Sequence, residues 1–127
     1  MLNQTTERAP AVLIVDDEPL IRMAAADTLA DAGVTPFEAA DGGEALELIE
    51  EHPEIALIVT DVEMPGMDGM TLARRAASLR PQLGFIVTSA RGEARAPEMP
   101  KDGAFLAKPY APRQLLALIS DKLSLAL

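Results

Sequence analysis

The chain has no cysteine and no tryptophan, and its single histidine is His52. Without cysteine there is no disulfide framework, no thiolate metal site and no cysteine nucleophile. One histidine argues against a histidine-rich metal cage and against a histidine-based catalytic triad. Aromatic residues are scarce as well: Phe37, Phe85, Phe105 and Tyr110 are all of them. Positive charge is in deficit, with 11 Lys and Arg against 20 Asp and Glu, a net charge of −9. Proteins that grip a nucleic-acid phosphate backbone need a basic face, so no nucleic-acid partner is expected. Long apolar runs are missing too. Stretches such as Ala11 to Val15 fall far short of the ~20 residues that a membrane span requires. The first ten residues carry Glu7 and Arg8 and no apolar core of a secretory signal. The expectation is a soluble cytoplasmic protein with no membrane partner.

What the chain does have is a globular composition, 49% hydrophobic and 24% charged over 127 residues. That length accommodates one domain, which buries roughly two-thirds of the surface its unfolded chain exposes. Residues 11–127 are read as that domain, after a frayed segment 1–10. With the chain ending on its last helix, no attached output domain is expected.

Short apolar runs alternate with amphipathic stretches of helical length. Ala11-Val12-Leu13-Ile14-Val15 has the continuous character of a strand buried on both faces. Pro19 opens a helix whose apolar face is read as Leu20, Ala24 and Thr28 with Ile21, Ala25, Leu29 and Ala32, and Gly33 ends it. Val34 to Ala39 reads as a strand, placed at a sheet edge by Pro36. Asp41 and Glu44 have capping-box spacing before a helix carrying Ala45, Leu48 and Ile49. Ile55 to Thr60 is a further buried strand. Asp68 caps a helix carrying Leu72, Ala76 and Leu79, and Pro81 stops it. Phe85 to Thr88 and Ala104 to Ala107 are two more strands. Pro112 opens the last helix, with Leu115, Leu116, Ile119 and Leu123 inward. Five strands with helices between them make an α/β fold, a parallel sheet covered on both faces by right-handed crossovers.

In such a sheet, function gathers beyond the carboxyl ends of the strands. The first strand ends in Asp16-Asp17-Glu18 and the third in Asp61, followed by Val62-Glu63-Met64-Pro65-Gly66-Met67-Asp68-Gly69. The fourth ends in Thr88-Ser89, and Lys108-Pro109 follows the fifth. If the first and third strands are neighbours, Asp16, Asp17 and Asp61 converge. Three like charges in one crevice raise one another's pKa unless a cation joins them. An all-oxygen cluster of this kind suits Mg²⁺, with Mn²⁺ as an alternative ion. Thr88 and Lys108 add a hydroxyl and an ammonium, so the crevice suits a phosphoryl group carried on a carboxylate.

At these residues the sequence resembles the receiver domain of two-component response regulators, from about Val12 to the last helix. Each motif alone is weak, but their order and spacing together are specific. The resemblance implies a flavodoxin-like doubly wound sheet of order 2-1-3-4-5. It implies Asp61 as phosphoacceptor, and Mg²⁺ held by Asp16, Asp17, Asp61 and the backbone carbonyl of Glu63. It implies Thr88 and Lys108 on the phosphoryl oxygens, Phe105 as a switch aromatic, and a cis Lys108–Pro109 bond. The implied donor is a phosphohistidine on a sensor histidine kinase or a histidine phosphotransfer protein. Output would pass through a downstream protein target that the sequence does not name, or the chain would serve as a phosphate shuttle or sink. No enzyme activity is implied beyond formation and hydrolysis of its own aspartyl phosphate. Ser89 follows Thr88, and alternation along a strand favours Thr88 as the switch hydroxyl, with Ser89 the alternative. Glu63 places an additional carboxylate two residues after Asp61.

Only thirteen residues separate Ser89 from Gly103, and they include Gly92, Pro97 and Pro100. A short or irregular fourth helix is expected there, because proline within a helix costs ~3 kcal/mol. Phosphorylation is expected to reorder this stretch together with Phe105, with Leu118 and Leu125 offering apolar surface to a partner. Each site residue also has a plainer use. Asp17 could cap the first helix, Lys108 could be an ordinary exposed lysine, Thr88 could end a strand, and Phe105 could be core. His52 reads as a surface residue. Two other functions fit an acidic strand end: a phosphohydrolase with Asp61 as nucleophile, and a flavodoxin-like mononucleotide binder. The first would turn over phosphomonoesters; the second needs a phosphate loop where Asp16-Asp17-Glu18 would repel one.

Overall fold

The apolar runs form a five-stranded, all-parallel sheet in the order β2-β1-β3-β4-β5. A computed structural model describes residues 10–91 and 102–127. Its strands are β1 (Ala11–Val15), β2 (Thr35–Ala39), β3 (Ile55–Asp61), β4 (Gly84–Ser89) and β5 (Ala104–Ala107). The helices are α1 (Pro19–Asp31), α2 (Gly42–Glu51), α3 (Gly69–Leu79) and α4 (Pro112–Leu123). The readings for segment 1–10 and for the fourth helix between Ser89 and Gly103 fall largely outside the described residues.

Alternation along each strand divides the core in two. Leu13, Val15, Ile58 and Phe85 pack with Ile49 of α2 and with Leu72 and Ala76 of α3. Val12, Ile14, Leu57, Val59 and Ile86 pack with Leu29 of α1 and with Leu115 and Ile119 of α4. With both faces covered, β1 is buried at every position. Pro36 lies in β2, at the sheet edge, where a missing N–H is tolerated.

The helix ends follow local chemistry. Asp41 accepts from the Glu44 N–H at 2.8 Å, and the Glu44 carboxylate accepts from the Ala40 N–H at 2.8 Å. Asp68 caps α3 by accepting from the Thr71 N–H. Gly33, at φ 84°, lets the Val34 N–H turn back to the Leu29 carbonyl at 2.9 Å. At the opposite end of the sheet from the acidic residues, the Arg80 guanidinium donates to the carbonyls of Ile49, His52, Pro53 and Ile55. It thereby ties the end of α2 to the start of β3.

Several inward assignments require correction. Leu20 is 82% exposed and Ala24 is exposed, whereas Ala25, Ala26 and Leu29 are the buried residues of α1. Apolar residues at most positions leave α1 without a strong apolar direction, so packing against the sheet selects the stripe. Leu79 is exposed because the last turn of α3 runs past the core. Leu116 of α4 is only partly buried, whereas Leu123 packs against the core as expected. Leu118 packs partly against the core, so it is not spare surface, and Leu125 lies beyond the end of α4. His52 is half-buried, its ring 4.4 Å from that of Phe37 and its Nδ1 3.5 Å from the Glu54 carboxylate.

One glycine holds the β3–α3 loop against the end of β3. A Cβ on Gly69 would lie 2.1 Å from the Asp61 carbonyl oxygen, a backbone atom that cannot swing away. Gly69→Ala is therefore expected to cost about 1–3 kcal/mol, as overpacking does, measured by urea unfolding. Gly43→Ala is the control, since its Cβ would meet only Asp41 Oδ1 at 3.5 Å. In a helix, that change is expected to be neutral or to stabilise by up to about 1 kcal/mol. Equal losses at both positions would contradict the close approach at Gly69.

Candidate functional site

Parallel strands bring all their carboxyl ends to one edge, and the order 2-1-3-4-5 puts β1 beside β3 at the centre. Asp16 follows the last residue of β1, its N–H bonded to the Ala39 carbonyl. Asp61 is the last residue of β3 and pairs in register with Thr88 of β4. Carboxylate oxygens of Asp16, Asp17 and Asp61 all lie within 4.8 Å of one another. Asp16 and Asp61 are buried, at 4% and 5% exposure, while Asp17 faces solvent.

The three acids are held differently. Asp16 Oδ1 accepts the Glu18 N–H at 2.9 Å, and the Asp16 carbonyl accepts from Arg22 at 2.8 Å. Asp17 does not cap α1: the capping position is Glu18, which makes no side-chain capping bond. That removes the plainer explanation for Asp17.

Lys108 reaches the acids from the loop after β5. Its Nζ lies 2.9 Å from Asp16 Oδ2 and 3.1 Å from Asp61 Oδ2. Its N–H donates to the Ser89 carbonyl at 2.9 Å, and its bond to Pro109 is cis. Among the described residues, Asp61 Oδ1 has no hydrogen-bond partner and is buried. A buried carboxylate oxygen without a donor or cation is costly, so this atom is the point of the crevice most in need of a ligand.

The electrostatics match. Burial pushes the Asp61 carboxyl above the ordinary carboxylate range, and the charges of Asp16 and Glu63 add to that push against the opposing pull of Lys108. Burial works against the Lys108 ammonium, but its hydrogen bonds to Asp16 and Asp61 outweigh that and hold its pKa above the usual lysine value. Lys108 is thus an ammonium committed to the acids, and not an ordinary surface lysine.

Three hard oxygen donors this close, one of them orphaned, suit a small divalent cation such as Mg²⁺. The cluster could hold one through Asp16, Asp17 and Asp61.

The two hydroxyls at the end of β4 have separate partners. Thr88 Oγ1 donates to the Thr60 carbonyl at 3.4 Å, a long bond beside Asp61. Ser89 Oγ donates to Glu63 Oε2 at 2.8 Å and accepts the Arg91 N–H at 2.9 Å. Phe105, half-buried, pairs with Val87 in the β4–β5 ladder.

Next to the crevice, an apolar groove of about 500 Å³ runs between α1 and the loop after β5, lined by Leu20, Ile21, Ala25, Tyr110 and Pro112 and bordered by Lys108. Sequence reasoning did not anticipate the groove, the Asp16–Lys108 pair or the Glu63–Ser89 bond.

Comparison with known proteins agrees with this geometry. Residues 12–120 match the response regulator receiver domain family. The receiver protein CpdR of Brucella abortus (strain 2308) is 35% identical over 117 residues, covering 88% of this chain and 95% of CpdR. The sensor kinase CckA of the same organism is 41% identical over 116 residues, or 88% of this chain but only 12% of CckA. The match to the regulatory protein DctD of Rhizobium meliloti (strain 1021) likewise spans only 24% of that protein. Among solved structures, a CheY-like receiver domain from Methanospirillum hungatei JF-1 superposes with a TM-score of 0.85 at 31% identity, covering 91% of this chain and 94% of that one. The crystal structure of the CckA receiver domain gives 0.78 at 33% identity, with 89% and 98% covered. The chain belongs to the response regulator receiver domain family.

Proposed function

We propose that Asp61 accepts a phosphoryl group from a phosphohistidine on a sensor histidine kinase or histidine phosphotransfer protein. The observation that carries this reading is Asp61 Oδ1, a buried carboxylate oxygen with free lone pairs at the end of β3. In the transfer, an Asp61 oxygen attacks phosphorus and the phosphorus–nitrogen bond of the donor breaks. The imidazole leaves with the bonding pair and takes a proton from solvent, and Asp61 becomes an acyl phosphate. Lys108 orients Asp61 through Oδ2 and stands ready to pair with the incoming phosphoryl oxygens. Thr88, in register with Asp61 and held only by its long bond to Thr60, has a hydroxyl free to follow the phosphoryl group.

Asp16, Asp17 and Asp61, with the backbone carbonyl of Glu63, would hold Mg²⁺. When bound, the ion supplies the positive charge that offsets the carboxylates and the phosphoryl oxygens. Phe105 is read as the switch aromatic, on its position in β5 and the resemblance alone. On this reading the chemistry is limited to forming and hydrolysing the protein's own acyl phosphate.

The relatives support a place in a phosphorelay, since one is a sensor kinase and another a receiver protein. The apolar groove supports a macromolecular donor. Lys108 borders both groove and crevice, so a protein presenting a phosphoryl group to Asp61 covers the groove as it does so. No helix among the described residues is long and apolar enough to cross a membrane.

Intact-mass spectrometry after incubation with acetyl phosphate and Mg²⁺ is expected to show one added phosphoryl group on the native chain and none on Asp61→Asn. Equal labelling of both would overturn the assignment. Leu20→Asp, in the groove, is expected to keep labelling by acetyl phosphate while slowing transfer from a phosphohistidine protein at least tenfold. An unchanged protein-to-protein rate would remove the groove from the docking surface.

Stability supplies an independent check. Because the Asp61 carboxyl titrates above the ordinary carboxylate range in the fold, the unfolded chain ionises first as pH rises. The native chain is therefore expected to lose stability relative to Asp61→Asn as pH climbs from that range, with no such difference in stronger acid. At neutral pH without metal, Asp61→Asn is expected to melt higher. Millimolar Mg²⁺ is expected to raise the native melting temperature by linkage, and to raise that of Asp61→Asn less, as calorimetry would show.

A further inference from the structure

The hydroxyl of Ser89 joins the Glu63 carboxylate and the Arg91 amide, two groups that the phosphoacceptor reading leaves without a role. It donates to Glu63 Oε2 at 2.8 Å, across 26 residues, and accepts the Arg91 N–H at 2.9 Å. Ser89 is 2% exposed, whereas Glu63 lies at the surface, two residues beyond Asp61. We propose that the Glu63–Ser89 hydrogen bond is a latch at the mouth of the Asp61 pocket, which opens when Asp61 carries a phosphoryl group and so releases the Arg91 amide at the exit of β4. This inference rests on Asp61 being the phosphoacceptor.

Three constraints carry it. A serine has a single O–H, so it serves one acceptor at a time. Ser89 spends that proton on Glu63 and cannot serve another acceptor without letting Glu63 go. Second, the backbones on both sides are fixed. The Ser89 carbonyl accepts the Lys108 N–H at 2.9 Å, and the Val62 N–H bonds to the Thr88 carbonyl at 2.9 Å. The bond therefore breaks under load, because its two ends cannot move together. Third, transfer turns the singly charged Asp61 carboxylate into an acyl phosphate of charge about −2 with three strong acceptor oxygens. The Glu63 charge is already felt at Asp61, and a larger negative charge there drives the exposed Glu63 side chain out to water. With Glu63 gone, the Ser89 side chain leaves its rotamer, which carries Oγ away from the Arg91 N–H and takes away its fixed acceptor.

The test uses the full chain, Mg²⁺ and beryllium fluoride as the phosphoryl mimic. Fluorine NMR reports whether the mimic is bound, and amide exchange is read at Arg91. In the native chain, Arg91 exchange is expected to rise roughly fivefold on binding, the equivalent of one net hydrogen bond. In Ser89→Ala, exchange is expected to be fast from the start and to change no further. Glu63→Gln keeps an acceptor for Ser89 but drops the charge, so the latch is expected to stay closed and most of the rise to disappear. Glu63 is exposed, so this variant serves even if Ser89→Ala fails to fold. A bound-fluoride signal with unchanged Arg91 exchange in the native chain would overturn the latch and leave the acceptor reading intact. So would an equal rise in the native chain and in Glu63→Gln. Absence of any bound-fluoride signal would overturn both.

Discussion

A single ammonium group holds the carboxyl edge of this sheet together. Lys108 Nζ lies within 3.1 Å of both Asp16 and Asp61, two carboxylates that are almost fully buried. Burying one unpaired carboxylate costs several kcal/mol, and adding a second and third nearby makes matters worse. The lysine offsets part of that cost, and the exposure of Asp17 to water offsets part of the rest. One buried carboxylate is still left without a full counter-charge; its burial, and after that its acidic neighbours, raise the carboxyl of Asp61, whose Oδ1 has no partner among the described residues. The pocket therefore favours a cation, and once it holds a cation it can hold an anion against Lys108.

The fold brings these charges together from distant parts of the chain. Asp16 and Lys108 are 92 residues apart. They meet because parallel strands all end at the same edge and because β1 and β3 are central. Burial on both faces gives those strands one allowed position, since a slip of one residue would invert which side chains meet which helix. Local devices then trim the edge. Arg22 fastens the Asp16 carbonyl, Asp68 caps α3, and Gly69 lets the loop fold back against Asp61.

Much of this was legible in the sequence, and the parts that were not share a cause. Continuous β-branched runs and their Pro, Gly and Asp boundaries are local signals, and the strands match them within a residue or two. Pro36 pointed to an edge strand through its missing N–H, and β2 is one. The acids at two strand ends stood out because burial makes charge there expensive. Helix facing was harder. In α1, apolar residues on nearly every side give little direction, so Ala26 was missed and Leu20 was turned inward. At the site, the Asp16–Lys108 pair and the Glu63–Ser89 bond depend on distances between residues remote in sequence. Gly69 was visible as a glycine, but nothing near it in the chain says that a carbonyl fills the space of its missing Cβ.

The end of β4 shows how two adjacent hydroxyls can be kept for different purposes. Neighbours on a strand point to opposite faces, so Thr88 and Ser89 cannot crowd the same partner. Thr88 sits in register beside Asp61 with only a 3.4 Å bond to hold its hydroxyl. Ser89 is tied at 2.8 and 2.9 Å to Glu63 and to the Arg91 amide. The loosely held hydroxyl lies next to the Asp61 carboxylate, and the tightly held one lies next to the loop that follows β4. Exchanging the two roles would require a one-residue slip of β4, which would drive Phe85 and Val87 from their core contacts on one face of the sheet and Ile86 from its contacts on the other. Core packing on the two faces of the sheet therefore decides which hydroxyl stands beside Asp61.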